Sequence, residues 1–246
     1  MIHIEASPKL SLVPGIVHGF FGRQGGVSEG YASSLNCSFK VGDAKDAVLI
    51  NRNRALAALG LEEQVLAIPN LVHSDRAIIF NEMMMPAESI DADGIITHGY
   101  AVLGVTYADC LPVLMASSDG QIVVAVHAGW RGIIQGILIN TCMMLEKYYG
   151  KKELVVALGP VISPHSFIVK DEVFEKFKQK WPRFVRGQER QGSVDLRGIA
   201  HQQLLDCGVG HVDIVGGFTD SDETKYFSHR RDHGQTGRHV ALIARR

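Results

Sequence analysis

Three short apolar runs follow one another in the middle of the chain, at residues 101–107, 111–116 and 122–126. They are rich in Val, Ile and Leu, and polar or turn-forming residues separate them. Runs of this length and composition are typical of strands buried on both faces. In residues 132–148, apolar side chains recur about every four positions, which predicts a helix with one face packed on the sheet.

Three further helices are predicted, over residues 46–59, 171–180 and 195–207. Each carries apolar residues at helical spacing, and a Gly or Pro follows its last turn. Asp46 is the expected N-cap of the first of them. Arg52 lies in the same helix and is expected to be solvated, because basic side chains are rarely fully buried.

Short apolar runs predict further strands at residues 65–68, 154–158, 212–215 and 239–244, with one or two edge strands in residues 1–20. Residues 183–192 are polar and are predicted as a surface loop, as are residues 81–89, which include three methionines. No internal repeat or linker divides the chain. These elements predict an α+β fold with mixed β-sheets sandwiched between helices, in a single domain spanning residues 1–246.

Composition narrows the class of protein. The 246 residues are 46% apolar and 21% charged with a formal net charge of −1, as in an ordinary soluble globular protein, and nothing indicates nucleic-acid or membrane binding. The first residues lack a signal-peptide pattern, and no run approaches the roughly 20 apolar residues that span a bilayer. The four cysteines form no CxxC motif. We therefore expect a cytoplasmic protein with reduced cysteines.

Reactive side chains stand at the ends of the predicted central strands. Asp109 and Cys110 separate the first two runs, His127 follows the third, Arg131 begins the helix, and His73 ends another strand-like piece. Strand ends on a rigid scaffold present polar groups to a cleft. A Cys and a His so placed indicate either a thiolate–imidazole pair or two metal ligands, whereas an isolated Cys beside apolar strands is more often a packing residue.

Two loops have distinctive compositions. Residues 21–28 are rich in glycine but lack the Gly-Lys-Ser/Thr ending of a phosphate-binding P-loop, so a tight turn is expected there. Residues 227–238 contain three arginines and two histidines among glycines. Arg side chains and exposed backbone N–H groups could clasp an anion in this second loop, or the loop could form a solvated hairpin.

Several motifs occur in an order that spans nearly the whole chain. The two most specific are Ala-Asp-Cys-Leu-Pro at residues 108–112 and His-Ala-Gly-Trp-Arg at residues 127–131. The others lie at residues 25–28, 34–36, 41–43, 72–73, 93–94, 158–160, 228–232 and 236–238. In these motifs the chain resembles the bacterial laccase-domain family, also called the multicopper polyphenol oxidase family. Its members are described as purine nucleoside phosphorylases with adenosine deaminase activity.

The resemblance implies a metal site. The ligands that the family's motifs would supply are His73, Cys110 and His127, with zinc as the expected metal and copper as the alternative. Residues next to His73 depart from the family pattern, which often has Gln where this chain has Leu71 and Gly where it has Ser74. A third departure is Val161, where the family often has Cys.

The resemblance also implies small-molecule substrates, namely adenosine, inosine or methylthioadenosine together with phosphate. Phosphorolysis requires phosphate to be held beneath C1′ of a ribose that becomes cationic, which suits Arg or backbone N–H groups. The catalytic residues are predicted to be Cys110, Asp109 and Arg131, with Asp109 or Asp93 as a candidate acid toward the departing purine. The residues predicted to bind substrate are Asn36, Asp93, Arg230 and Arg238.

Spacing is compatible with a catalytic metal site. Cys110 lies 37 residues after His73 and 17 before His127, which is too wide for a zinc finger. Three ligands from separate strand ends leave a fourth position for water or substrate, as in catalytic zinc sites.

Three other functions stay open from the sequence. Cys110 and His127 could serve a metal-free hydrolase as nucleophile and base. One Cys and two His also resemble a blue-copper ligand set. A copper polyphenol oxidase, however, needs a cluster of many more His ligands, and the chain contains no His-x-His pair. The cationic loop could belong to a binding module without turnover. The oligomeric state is left open.

Overall fold

The structure, a computed structural model, describes residues 1–81, 86–188 and 190–246. The three methionines of the predicted loop at 81–89 lie outside these residues. The helices are α1 (Pro8–Ser11), α2 (Lys45–Leu59), α3 (Trp130–Gln135), α4 (Ile137–Tyr149), α5 (Asp171–Lys180) and α6 (Leu196–Asp206). The strands are β1 (Ile4–Glu5), β2 (Ile16–Phe21), β3 (Leu66–Ala67), β4 (Ala77–Ile79), β5 (Gly94–Thr97), β6 (Val102–Tyr107), β7 (Leu111–Ser117), β8 (Val123–Ala128), β9 (Leu154–Leu158), β10 (Ile168–Lys170), β11 (Val185–Gln188), β12 (Gln191–Val194), β13 (His211–Ile214) and β14 (His239–Arg245).

Two sheets carry the core. The first has the strand order β1-β2-β14-β6-β3 and the second has the order β13-β9-β7-β8-β5-β4, while β10, β12 and β11 form a small third sheet. The pairs β3–β6, β4–β5 and β9–β13 are parallel, and the other pairs in these two sheets are antiparallel. The predicted mixture of strand directions is therefore confirmed.

Alternating side chains show how the layers stack. Along β7, Leu114 and Ala116 face the first sheet, whereas Val113 and Met115 face α3, α4, α5 and α6. On the far side of the first sheet, α2 packs through Ala55 against a separate apolar cluster. The order of layers is helix, sheet, sheet, helix. This architecture confirms the predicted α+β class with mixed sheets between helices.

The connection between the two sheets positions the most reactive segment. Strand β6 belongs to the first sheet and β7 to the second, so residues 108–110 carry the chain across the gap between them. In the β7–β8 pair, Pro112 lies opposite His127. The start of β7 and the end of β8 therefore meet at one edge of the sandwich.

The predicted helix over residues 132–148 is wrong in one respect, because the segment forms two helices. Gly136 lies between α3 and α4 with a φ of 93°, a left-handed conformation that glycine adopts without steric cost. Its N–H closes the last turn of α3 by donating to the carbonyls of Gly132 and Ile133. Residue spacing alone does not show this break, since apolar side chains continue on both sides of it.

Two predictions about polar segments are also wrong. Residues 183–192 were expected to be loop, but β11 and β12 pair there in an antiparallel register that sets Gly187 opposite Gly192. Arg52 was expected to be solvated, but it is buried, and its Nε donates to the carbonyl oxygen of Cys37 at 2.9 Å. Glu88 lies 3.2 Å from the same guanidinium and supplies the counter-charge.

Two smaller expectations about the first part of the chain are corrected. The N-cap of α2 is Ala44 rather than Asp46, which instead stands in the first turn. Strand β1 lies at a sheet edge as expected, whereas β2 is an interior strand between β1 and β14. Among the described residues, no helix is both long and apolar enough to cross a membrane.

Candidate active site

The structure brings together His73, Cys110 and His127, the three predicted metal ligands. Their ligand atoms all lie within 4.8 Å of one another. The Sγ atom of Cys110 is 3.9 Å from Nε2 of His73. The two imidazole rings meet edge to face, with centroids 4.9 Å apart. Residues that are distant in sequence therefore converge on one point.

Unusual backbone conformations place two of these ligands. His73 has a φ of 60°, and Asp109, directly before Cys110, has a φ of 80°. Both values lie in the left-handed region, which non-glycine residues seldom adopt and which is common at functional sites. His127 lies in the regular strand β8 instead. The turns at His73 and Asp109 therefore bring the side chains of His73 and Cys110 to the imidazole of His127, which a regular strand holds in place.

Asp93 supports the site through hydrogen bonds to His127 and to the turn that carries His73. Its carboxylate lies 2.8 Å from Nδ1 of His127 and accepts hydrogen bonds from the backbone N–H groups of Val72, His73 and Ser74 at 3.3, 3.0 and 2.6 Å. The hydroxyl of Ser74, the residue that departs from the family's Gly, donates to the same carboxylate at 2.9 Å. Asp93 is inaccessible to solvent and lies on the Nδ1 side of His127.

This carboxylate also decides which nitrogen of His127 can bind a metal. Since a carboxylate only accepts hydrogen bonds, the proton lies on Nδ1 and Nε2 faces Cys110 and His73. Burial would raise the pKa of Asp93, but the bond from His127 and those from Ser74 lower it to about 2. The carboxylate is therefore charged, as expected for the outer partner of a metal-binding histidine.

The ligand side chains have perturbed acidities. Burial would raise the pKa of Cys110, but the neighbouring His127 and His73 lower it to about 6. Burial would lower the pKa of His127, but Cys110 and Asp93 raise it to about 9. A thiolate beside two imidazoles is a donor set that zinc and copper both accept.

Gly129 leaves the space between the ligands free. A Cβ atom at this position would lie 3.0 Å from Cδ2 of His73, 3.3 Å from Sγ of Cys110 and 3.5 Å from Cε1 of His127. A Cβ atom would therefore be in tight contact with His73 and Cys110 and in ordinary van der Waals contact with His127. The donor atoms and this open space together fit a metal ion held by His73, Cys110 and His127.

The three ligands lie in the wall of a cavity of about 390 Å³. Trp130, Ile162, Phe167 and Leu196 supply apolar surface to the same cavity. A volume of this size and a lining that combines apolar surface with polar groups suit a site for a small organic molecule.

Cationic side chains also line the cavity, namely Lys40, Arg131, Arg230 and Arg238. Arg131 stacks on Trp130 at 4.3 Å, and the guanidinium of Arg230 donates to the carbonyl oxygen of Ser166 at 2.7 Å. Within the described parts of the chain, none of these cations lies within ion-pair distance of a carboxylate. The cavity thus offers positive charge to an anion.

Comparison with known proteins agrees with this geometry. The family model described as multi-copper polyphenol oxidoreductase laccase matches residues 17–246. The chain belongs to this laccase family. The resemblance in the sequence motifs is thereby confirmed.

Relatives in the laccase family cover almost the whole chain. A purine nucleoside phosphorylase from Haemophilus influenzae is 35% identical over 242 residues, which cover 94% of this chain and 95% of that protein. Purine nucleoside phosphorylase YlmD from Geobacillus stearothermophilus is 31% identical over 251 residues, covering 94% and 91%. The crystal structure of YlmD from the same organism has a TM-score of 0.89 at 29% identity, and it covers 98% of this chain and 94% of that chain.

Asn36 and Asp109, two of the predicted site residues, form hydrogen bonds that support other residues of the site. Asn36 is buried, and its side-chain oxygen accepts a hydrogen bond from the backbone N–H of Arg238 at 2.9 Å. Asp109 lines the cavity, but its carboxylate accepts hydrogen bonds from the Thr219 hydroxyl and from the backbone N–H of Arg230, each at 2.6 Å. Both side chains therefore hold the segment that carries the two arginines.

His229 was missed in the sequence. It lines the cavity, and its Nδ1 lies 3.3 Å from the guanidinium of Arg238. Since a guanidinium only donates, Nδ1 must accept, which leaves the proton of the neutral ring on Nε2. Burial and Arg238 lower the pKa of His229 and favour this neutral form. Its position in the cationic loop and inside the matched motif at residues 228–232 were the available signals.

The apolar walls of the cavity were also missed. Phe167 and Leu196 come from segments far from the metal ligands in sequence, and neither belongs to a matched motif. Trp130 stands inside the His-Ala-Gly-Trp-Arg motif, where only its neighbours were assigned roles. Apolar residues give no sequence signal of a binding site, because core residues look the same.

Proposed function

We propose that this chain is a zinc-dependent purine nucleoside phosphorylase, which cleaves adenosine, inosine or methylthioadenosine with phosphate. The observation that carries the proposal is the convergence of His73, Cys110 and His127 in the wall of a cavity that is also lined by Lys40, Arg131, Arg230 and Arg238. The names of the relatives from Haemophilus influenzae and Geobacillus stearothermophilus support it.

The cavity suits the two substrates of phosphorolysis. Trp130, Ile162 and Phe167 offer surfaces on which a purine can pack, and Arg131, Arg230 and Arg238 can hold phosphate. In the reaction a phosphate oxygen bonds to C1′ while the bond from C1′ to the purine nitrogen breaks. Phosphate fixed by the arginines meets the developing positive charge of the ribose in the correct orientation.

The metal would be held by His73, Cys110 and His127. When bound, zinc acts as a Lewis acid and lowers the pKa of a water ligand to near 7. This chemistry supports the second activity that we propose, in which water replaces the 6-amino group of adenosine and ammonia leaves. Asp93 accepts a hydrogen bond from Nδ1–H of His127, which leaves Nε2 as the ring nitrogen turned toward the metal site, and Nε2–H of His229 can donate a hydrogen bond to the purine or to its leaving group.

The position of His73 favours a metal site over a metal-free cysteine hydrolase. Cys110, His127 and Asp93 alone would suit a nucleophile, a base and its orienting carboxylate. A hydrolase has no need of a third donor, yet Nε2 of His73 lies 3.9 Å from the thiol sulfur. Zinc and copper both fit this donor set, so the metal content itself must be measured.

A combined metal and turnover assay tests the proposal. Freshly purified protein is expected to contain about one zinc per chain by elemental analysis. It should release purine from inosine, adenosine or methylthioadenosine only when phosphate is present. Ammonia release from adenosine reports the deaminase activity. Phosphate-independent cleavage, or copper with oxidation of phenols, would contradict the proposal.

Substitution of Cys110 separates the metal enzyme from the hydrolase. Cys110→Ser should lose most of the metal and the phosphorolysis, because a hydroxyl is a poor zinc ligand. Cys142→Ser, which changes another partly buried cysteine away from the cavity, is the matched control and should keep both. An acyl adduct on Cys110 of metal-free, active protein would support the hydrolase instead.

A further inference from the structure

Asp109 stands between the two parts of the proposed active site. It directly precedes Cys110, a candidate metal ligand, and its carboxylate contacts the backbone of Arg230, a candidate phosphate ligand. Its own φ of 80° is left-handed, a conformation that Asp and Asn tolerate better than other residues with side chains. The strained turn is therefore compatible with Asp and with few alternatives.

Both carboxylate oxygens of Asp109 are occupied. Oδ1 accepts a hydrogen bond from the hydroxyl of Thr219 and Oδ2 accepts one from the N–H of Arg230, each at 2.6 Å. Asp109 is buried and Thr219 is inaccessible to solvent, so water does not compete for these bonds. Hydrogen bonds to a carboxylate of this length are among the strong ones in proteins.

Asp109 also joins three segments that are far apart in sequence. Its backbone carbonyl accepts a hydrogen bond from the N–H of Ile162 at 3.0 Å, in addition to the side-chain bonds to Thr219 and Arg230. Ile162 lines the cavity. Displacing Asp109 would therefore disturb a cavity wall and a cationic side chain together.

The side chain of Arg230 is also held, at its guanidinium group. It donates to the carbonyl oxygen of Ser166 at 2.7 Å and lies 5.6 Å from the ring centroid of Phe167. Arg230 is otherwise exposed, and an exposed arginine loses conformational entropy when it binds an anion. Because Asp109 holds its backbone and Ser166 holds its side chain, Arg230 loses less conformational entropy when it binds an anion.

We propose that Asp109 is a positioning residue for phosphate and not the acid that protonates the purine. It holds the Arg230 backbone so that the guanidinium meets phosphate beside the metal ligand Cys110. A general acid must direct a proton at the leaving group, whereas both oxygens of Asp109 accept hydrogen bonds from protein donors. The proposal rests on the proposed phosphorolysis.

Asp109→Asn separates positioning from acid catalysis. The amide has the same shape, tolerates the left-handed conformation, and can accept from Arg230 N–H while its NH₂ donates to the Thr219 oxygen. We expect kcat and the KM for phosphate to change by less than about 3-fold. Loss of a general acid would instead lower kcat by about 100-fold or more, and that result would overturn the proposal.

Asp109→Gly is the complementary variant. Glycine keeps the left-handed backbone but removes both acceptors. We expect the KM for phosphate to rise by about 10-fold or more, with a smaller effect on kcat at saturating phosphate and unchanged zinc content. A KM for phosphate that is near wild type in Asp109→Asn but raised in Asp109→Gly shows that the hydrogen bonds of the side chain matter. An unchanged KM for phosphate in folded Asp109→Gly would overturn the proposal.

Thr219 provides a matched pair of controls. Thr219→Ser keeps the hydroxyl that donates to Asp109, and Thr219→Val removes it at nearly constant volume. We expect wild-type kinetics from the first and a rise of about 3-fold to 10-fold in the KM for phosphate from the second. Equal kinetics of the two variants would show that this bond does not position Asp109. Thermal unfolding of every variant establishes that it is folded.

Calorimetry with inorganic phosphate distinguishes failure of this inference from failure of the proposed function. If the wild-type protein binds phosphate without cleaving nucleosides, the phosphorylase proposal fails, and the ratio of dissociation constants between Asp109→Gly and wild type still tests the role of Asp109. A ratio of about 10 or more supports positioning, and a ratio near 1 contradicts it. A wild-type protein that binds no phosphate overturns both.

Discussion

The Nδ1 atom of His127 lies 2.8 Å from a carboxylate oxygen of Asp93, and Asp93 has no solvent-accessible surface. The same carboxylate accepts hydrogen bonds from the backbone of the turn that carries His73. One buried charge therefore orients one candidate metal ligand directly and another through its backbone. Cys110, the third ligand, depends on a different support, the turn at Asp109.

Loss of this carboxylate should weaken metal binding although Asp93 is not one of the three candidate ligands. For Asp93→Asn we expect metal affinity to fall by about 10-fold to 100-fold, because the amide cannot serve all the donors that the carboxylate accepts. Competition with a chelator measures this. Ser74→Gly removes only one of those hydrogen bonds and is the matched control, with an expected cost in stability of about 1 kcal/mol. Equal metal affinity in Asp93→Asn and wild type would contradict the assigned role.

Gly129 should be intolerant of a single added methyl group. In Gly129→Ala the new Cβ would lie 3.0 Å from His73 and 3.3 Å from the sulfur of Cys110, so the ligands must separate. We expect metal content to drop while the helical circular dichroism signal stays. Gly210→Ala is the control, since a Cβ there meets no atom within 4 Å. Full zinc content in Gly129→Ala would show that the ligands do not converge as described.

His229 should affect turnover without affecting the metal. In His229→Ala the guanidinium of Arg238 loses one of its acceptors, keeping the carbonyl oxygens of Thr236 and Gly237, and the cavity loses the Nε2–H donor. We expect kcat/KM for inosine to fall by about 10-fold to 100-fold at constant zinc content. His211→Ala changes another exposed histidine on β13, far from the cavity lining, and should match wild type. If both variants have wild-type kinetics, His229 has no role in the site.

Two buried histidines should make the fold sensitive to acid. Burial lowers the pKa of His18 to about 4, with Asp213 opposing the shift, and lowers that of His239 to about 3. Nε2 of His18 accepts from the Ser7 N–H, and Nε2 of His239 accepts from the Phe227 N–H, so both rings are neutral in the folded chain.

The sign of this pH dependence follows from the lowered pKa values. The unfolded chain takes up protons near pH 6.5, whereas the folded chain resists protonation until pH 4 or below. Stability is therefore complete above pH 6.5 and is lost as the pH falls toward 4, by about 2.5 kcal/mol for each histidine at pH 4.5. Urea unfolding at pH 7.5 and 4.5 measures the loss. His18→Gln should show a smaller loss than wild type, and an equal loss would contradict the assignment.

The sequence by itself determined the central strands and selected the three candidate metal ligands. Apolar runs of five to seven residues between polar breaks favour short buried strands, and β6, β7 and β8 were predicted within one or two residues. Motif matches then selected His73, Cys110 and His127 from all the histidines and cysteines. Both results depend on information that is local in the chain.

Tertiary structure decided the roles of the supporting residues. Asp93, Asp109 and Asn36 were predicted to act on substrate, and in the structure Asp93 bonds to His127 while Asp109 and Asn36 accept hydrogen bonds from the backbone of Arg230 and Arg238. A polar side chain looks the same in sequence whether it faces a cavity or a backbone N–H. Only the folded neighbours distinguish these cases.

The same limit applies to packing. Nothing local predicted that Arg52 is buried beside Glu88, or that Gly187 and Gly192 face each other across a hairpin. The local sequence pattern shows whether a side chain is apolar and at what spacing apolar side chains recur. It does not report which distant segment arrives opposite, and the cavity of this protein is formed by such distant segments.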